Sequence, residues 1–70
     1  MYRFKKEFKD KLLGENTIAE VANTIGITPK WLGDILAERA ECSKVLALII
    51  TKLIDEDKEI EDYFSRKEVI

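Results

Sequence analysis

The stretch Thr28-Pro29-Lys30-Trp31, followed by Asp34, holds the residue types best suited to chemistry. A lysine can contact a guanine edge or a phosphate, and an aspartate can accept from cytosine. Tryptophan and proline offer apolar surface of the kind that anchors protein interfaces. This is the chemistry of recognition, and no enzyme is expected. The chain has no histidine, no phosphate-cradling glycine loop, and acids spread over surface positions. Its single cysteine, Cys42, can form no internal disulfide and belongs to no Cys/His cluster. Cys42 therefore reads as a small apolar filler in a loop. No metal, other cofactor or small-molecule substrate is expected.

Those residues must be positioned by helices. Thr28 fits an N-cap, with Pro29 at the first helical position, where its missing N–H has no partner to lose. Leu32, Ile35 and Leu36 form the inward stripe of the helix that follows. The helix before it starts at Asn16-Thr17, with Thr17-Ile-Ala-Glu20 as a capping box. Val21, Ala22 and Ile25 point inward, and Gly26 permits the left-handed turn that ends it. At the N-terminus Phe4, Phe8 and Leu12 are spaced four apart and predict a first helix from Tyr2 to Leu13, stopped by Gly14. Phe4 then belongs to the core, leaving Tyr2 and Arg3 free as an arm. AERAECS reads as a loop. Ser43 caps a fourth helix, Lys44 to Ile54, with Leu46, Ile49, Ile50 and Leu53 on one inward face and Val45 at its edge. Leu48 falls nearly opposite, either as an ordinary lone apolar residue on the surface or as the mark of a dimer or partner contact. A fifth helix, Lys58 to Arg66, presents Ile60, Tyr63 and Phe64.

Composition agrees with one small helical domain over residues 1–70. Apolar residues are 46% of the chain, with one proline and three glycines, and strict alternation is absent. The apolar run Val45 to Ile50 is far short of the roughly 20 residues that cross a membrane. The N-terminus lacks the apolar core of a signal peptide. A reducing, cytoplasmic setting is expected. The net charge is −2, with 12 basic and 14 acidic side chains. Residues 1–16 are mildly basic, 17–54 balanced, and 55–70 strongly acidic, which disfavours phosphate-driven binding except at the N-terminus.

The pattern Val21, Ala22, Ile25, Gly26, Ile27, Leu32, Ile35 has a mechanical meaning. A small residue lets two helices approach, a glycine makes the turn, and apolar residues lock the second helix across the first. Here the chain resembles the helix-turn-helix regulators of the Cro and phage-repressor type, over nearly its whole length. Ala22, Gly26, Leu32 and Ile35 fall where that family has its motif core. The resemblance implies an all-α fold, a compact five-helix bundle containing a helix-turn-helix. It also implies a place in a phage lysis–lysogeny switch within the cytoplasm of a bacterial host.

The functional positions depart from the family pattern. Where the family often has a glutamine that braces the backbone, this chain has Ile18. The main base-reading positions match Pro29, which cannot read a base edge, and Lys30. Further groove-facing positions match Gly33, Asp34 and Ala37, with Glu38 adding negative charge. Trp31 either packs at the core edge or forms an exposed patch with Pro29 and Ile18. These departures point to an antirepressor of the modulator-of-repression type, which binds the repressor protein of its own switch and alters its DNA binding. Ile18, Pro29, Trp31 and Leu48 would supply apolar contact. Asp34, Glu38 and the tail acids Asp55, Glu56, Asp57, Glu59, Glu61 and Asp62 would complement a basic partner. The alternative is a Cro-like regulator placing Thr28, Lys30 and Lys44, or the basic N-terminus, on operator DNA.

Overall fold

The computed structural model describes residues 1–66. Its elements are built on local signals that the chain carries at each junction. Thr17 Oγ1 accepts from the Glu20 amide at 3.2 Å, and Glu20 Oε1 accepts from the Thr17 amide at 3.0 Å. This reciprocal cap starts α2, Ile18–Ile25. The same bonds hold the Glu20 carboxyl below its ordinary range. Gly26, at φ 94°, ends α2 in the left-handed region, and the Gly26 and Ile27 amides both donate to the Ala22 carbonyl. Thr28 Oγ1 then accepts from the Trp31 amide at 3.1 Å and starts α3, Pro29–Leu36. Ser43 Oγ accepts from the Leu46 amide and starts α4, Lys44–Ile54.

The chain ends do not follow the helical expectation. In place of one helix from Tyr2 to Leu13, the structure has a strand β1, Tyr2–Phe4, a 3-10 turn over Lys6–Phe8, and a short α1, Lys9–Leu13. Gly14 stops α1, at φ 57°. In place of a helix from Lys58 to Arg66, a short α5, Ile60–Tyr63, runs into a strand β2, Phe64–Arg66. The two strands pair antiparallel, with Tyr2 opposite Arg66, Arg3 opposite Ser65 and Phe4 opposite Phe64. Tyr2 also exchanges two backbone hydrogen bonds with Cys42, so β1 lies between β2 and the loop before α4. The fold is thus mostly helical with a small two-stranded sheet, and not purely α-helical. The physical reason is that pairing satisfies the backbone groups of two chain ends that isolated helices of this length would leave weak.

The helix-forming residues nevertheless reach the core. Phe4, Leu12, Val21, Ala22, Leu32, Ile35, Leu36, Leu46, Ile50, Ile60, Tyr63 and Phe64 are all buried. Phe4 and Phe64 meet edge-to-face at 5.3 Å, and Phe8 meets Tyr63 at 4.8 Å. Tyr2 is buried as well, so of the expected free arm only Arg3 is exposed. A radius of gyration of 11.1 Å is that of a compact chain of this length, about 11 Å.

The fourth helix is rotated from the expected face. Leu46, Ala47, Ile50 and Thr51 are buried, whereas Ile49 and Leu53, expected inside, are exposed beside Val45 and Leu48. Thr51 replaces Leu53 in the core because α4 packs between α1, α5 and β1, and small residues fit the close approach.

Candidate functional site

The start of α3 brings together four of the expected site residues. Thr28, Pro29, Lys30 and Trp31 are consecutive and all exposed. Thr28 is held in place by its capping bond, and the proline ring fixes the first helical residue. Trp31 is 43% exposed. It is the one exposed aromatic side chain among the described residues. More than half of its surface is covered, so it sits at the edge of the fold with one part open to solvent, as either reading of Trp31 allows. No acidic residue lies in the first turn of α3. Lys30 and the amides of that turn leave the local field positive.

The other expected residues are placed differently. Ile18, the first residue of α2, is half-buried and packs against the core, which limits what it adds to an exposed patch. Asp34 is half-buried and tied to Arg39: Nε donates to Oδ1 at 3.1 Å, and Nη2 lies 3.0 Å from the same oxygen. The Arg39 amide donates to the Asp34 carbonyl as well. The aspartate is thus neutralised locally, neither a free acid for a basic partner nor an unscreened repulsion toward phosphates. An exposed pair of this kind contributes at most about 1 kcal/mol. Glu38 lies beyond α3, which ends at Leu36, within the stretch expected to be a loop. It sits in the following turn at φ 62°, a left-handed conformation that strains a residue with a side chain, and it lines a shallow groove with Lys5, Lys6, Glu7 and Ser65.

Lys44 and Leu48 belong to α4, the first at its N-terminal end and the second on its exposed side. Arg39, as the partner of Asp34, and the exposed Val45, Ile49 and Leu53 were not expected from sequence. The first could have been suspected from opposite charges just beyond a helix end. The acids of the C-terminal region remain largely exposed: Glu56, Asp57, Glu59, Glu61 and Asp62 all face solvent, with Asp62 Oδ2 accepting from the Glu59 amide at 2.9 Å.

Cys42 is 1% exposed, and burial pushes its thiol up from 9.0 to about 11. The thiolate is the nucleophile, so a buried, high-pKa thiol is inert. Native protein at pH 8 should react with a thiol reagent only as fast as it unfolds, and denaturant should release one rapidly reacting thiol. The linkage has a definite sign. The unfolded thiol ionises near 9 and the native one near 11, so the native state holds the extra proton between these values. Stability is therefore unaffected by this group below about pH 9 and falls as pH rises toward 11.

Among the described residues, no helix is long and apolar enough to cross a membrane, and no group of three or more histidine, cysteine or acidic side chains is placed to hold a metal ion. In comparisons with protein-family models, curated proteins and solved structures, none matches this chain.

Proposed function

We propose that this chain is a small phage-type regulator of a lysis–lysogeny switch, acting as an antirepressor that binds the repressor protein of that switch and alters its DNA binding. In this reading α2, the Gly26 turn and α3 form a helix-turn-helix used for protein contact. The observation that carries it is Trp31, a large aromatic side chain exposed on the first turn of α3. A DNA reader places hydrogen-bonding side chains there, and an exposed tryptophan gains most by being desolvated against protein. The exposed acids from Glu56 to Asp62 support the reading, since they complement a basic surface of the kind that binds DNA.

Trp31 is the chain's only tryptophan, which permits a direct test. Protein labelled with 5-fluorotryptophan gives one fluorine resonance. Titration with the repressor should shift or broaden that resonance, and Trp31→Ala should bind at least about tenfold more weakly. The same substitution should cost about 1–3 kcal/mol of folding stability, because more than half of the side chain is covered, and should leave the protein folded by circular dichroism. An unmoved resonance during saturating repressor binding would remove Trp31 from the interface.

One observation favours a second reading, a Cro-like DNA-binding regulator. Lys30 is exposed on an acid-free helix start, where phosphate or guanine could be held. On that reading Lys30→Ala weakens DNA binding, and affinity falls steeply with salt.

A further inference from the structure

We propose that α4 is a self-association surface, on which a second copy of this chain docks antiparallel about a two-fold axis near Ile49. The inference rests on α4 alone and not on the antirepressor reading.

The face exists because α4 is apolar nearly all round while only one side of it is covered. Leu46, Ala47, Ile50 and Thr51 are buried. On the other side Val45 is 69% exposed and Leu48, Ile49 and Leu53 each between 42% and 45%. At 100° per residue these four form one continuous exposed stripe along the helix. Lys52 falls within that stripe, but its ammonium is drawn to the helix end, donating to the Glu56 carbonyl at 2.9 Å and the Lys58 carbonyl at 3.0 Å. The stripe is thereby left apolar. Contiguous exposed apolar patches of this kind mark interaction surfaces.

Charge selects the occupant. Lys44 opens α4, whose first turn has no acidic residue, so a cation sits at the positive end of the helix. Asp55 caps the other end, and exposed Glu56 follows it. Lys44 and Asp55 are about three turns apart and so lie along the same edge of the stripe. An antiparallel two-fold brings that edge against its own copy in reverse. Lys44 of each copy then meets Asp55 and Glu56 of the other, and Val45 meets Leu53 of the other. The arrangement is isologous and closes as a dimer. Opposed helix dipoles add to it, whereas a parallel pair would set lysine against lysine. One helix face is smaller than the roughly 800 Å² per partner of a standard interface, so the dimer is expected in the micromolar range.

Sedimentation of the full chain from low micromolar to about 1 mM tests the proposal. A concentration-dependent monomer–dimer equilibrium is expected. Ile49→Asp should weaken it by about tenfold or more while leaving the helical circular dichroism unchanged, because this side chain faces solvent. Leu48→Lys serves as a second variant at the same face. Lys44→Glu should weaken the dimer severalfold, and adding Glu56→Lys should restore it. Monomer at every concentration would overturn the proposal and leave the face to a different partner. A dimer indifferent to Ile49→Asp and Leu48→Lys would overturn the surface. Failure of the double charge reversal to restore pairing would overturn the antiparallel arrangement.

Discussion

Phe64→Ala should leave the protein mostly unfolded at modest temperature. Phe64 is 1% exposed, and its ring meets the fully buried Phe4 edge-to-face at 5.3 Å. The two residues are register partners in the antiparallel pair of β1 and β2, so the contact joins both ends of the described chain. Truncating a buried phenylalanine to alanine costs about 3–5 kcal/mol, combining lost transfer energy with the cavity left behind. A domain of this length has only about 4–10 kcal/mol in total. The melting temperature should fall by roughly 15–30 °C, followed by circular dichroism. Ser65→Ala, exposed on the same strand, should shift it little. Phe8→Ala should fall between the two, because Phe8 is half-buried against Tyr63. A loss below about 1 kcal/mol for Phe64→Ala would mean that the paired chain ends do not complete the core.

Gly26→Val should be the most damaging substitution outside the buried side chains. Gly26 has φ 94°, and a Cβ built there would meet nothing within 4 Å. The cost is therefore conformational and not a clash. A β-branched residue resists positive φ more strongly than other residues do. The expected loss is about 2–3 kcal/mol for valine. Asparagine, whose short polar side chain tolerates the left-handed region, should cost least, with alanine between. Urea denaturation of the three variants should give that order. Equal stability of the valine and asparagine proteins would mean that the turn between α2 and α3 is not built on this conformation.

The central part of the chain was legible because its signals are local. Thr17 with Glu20, Thr28 with Pro29, and Ser43 each cap the helix they were expected to cap, and Gly14 and Gly26 end helices where expected. Ala22, Leu32 and Ile35 are fully buried, as their spacing implied. The ends were not legible. Phe4, Phe8 and Leu12 repeat every fourth residue and mimic a helix, but Tyr2, Arg3 and Phe4 also alternate buried, exposed, buried, as a strand does. The choice between the two is made by β2, at the far end of the sequence, and by Cys42. No local pattern reports such pairing. Phe64 misled in the same way, being spaced for a helix and extended in the structure.

The rotation of α4 has a different origin. Val45, Leu46, Ala47, Leu48, Ile49, Ile50, Leu53 and Ile54 surround nearly the whole helix, so periodicity cannot choose its buried side. Packing chose the side bearing Ala47 and Thr51. For the candidate site, the Thr-Pro-Lys-Trp start of α3 was visible in the residue types, but the exposure of Trp31 was not. The pairing of Asp34 with Arg39 depends on where the helix ends. Helix ends are the least legible feature of a sequence.

The most direct test of the proposed function is a mobility-shift titration at about physiological salt, using DNA from the chain's own genomic neighbourhood, with and without the adjacent repressor. The antirepressor reading predicts no shift by this chain alone, and loss or alteration of the repressor's shift when it is added, with Trp31→Ala failing to do so. A shift by the chain alone, abolished by Lys30→Ala and falling steeply with salt, would contradict it and establish a Cro-like DNA reader.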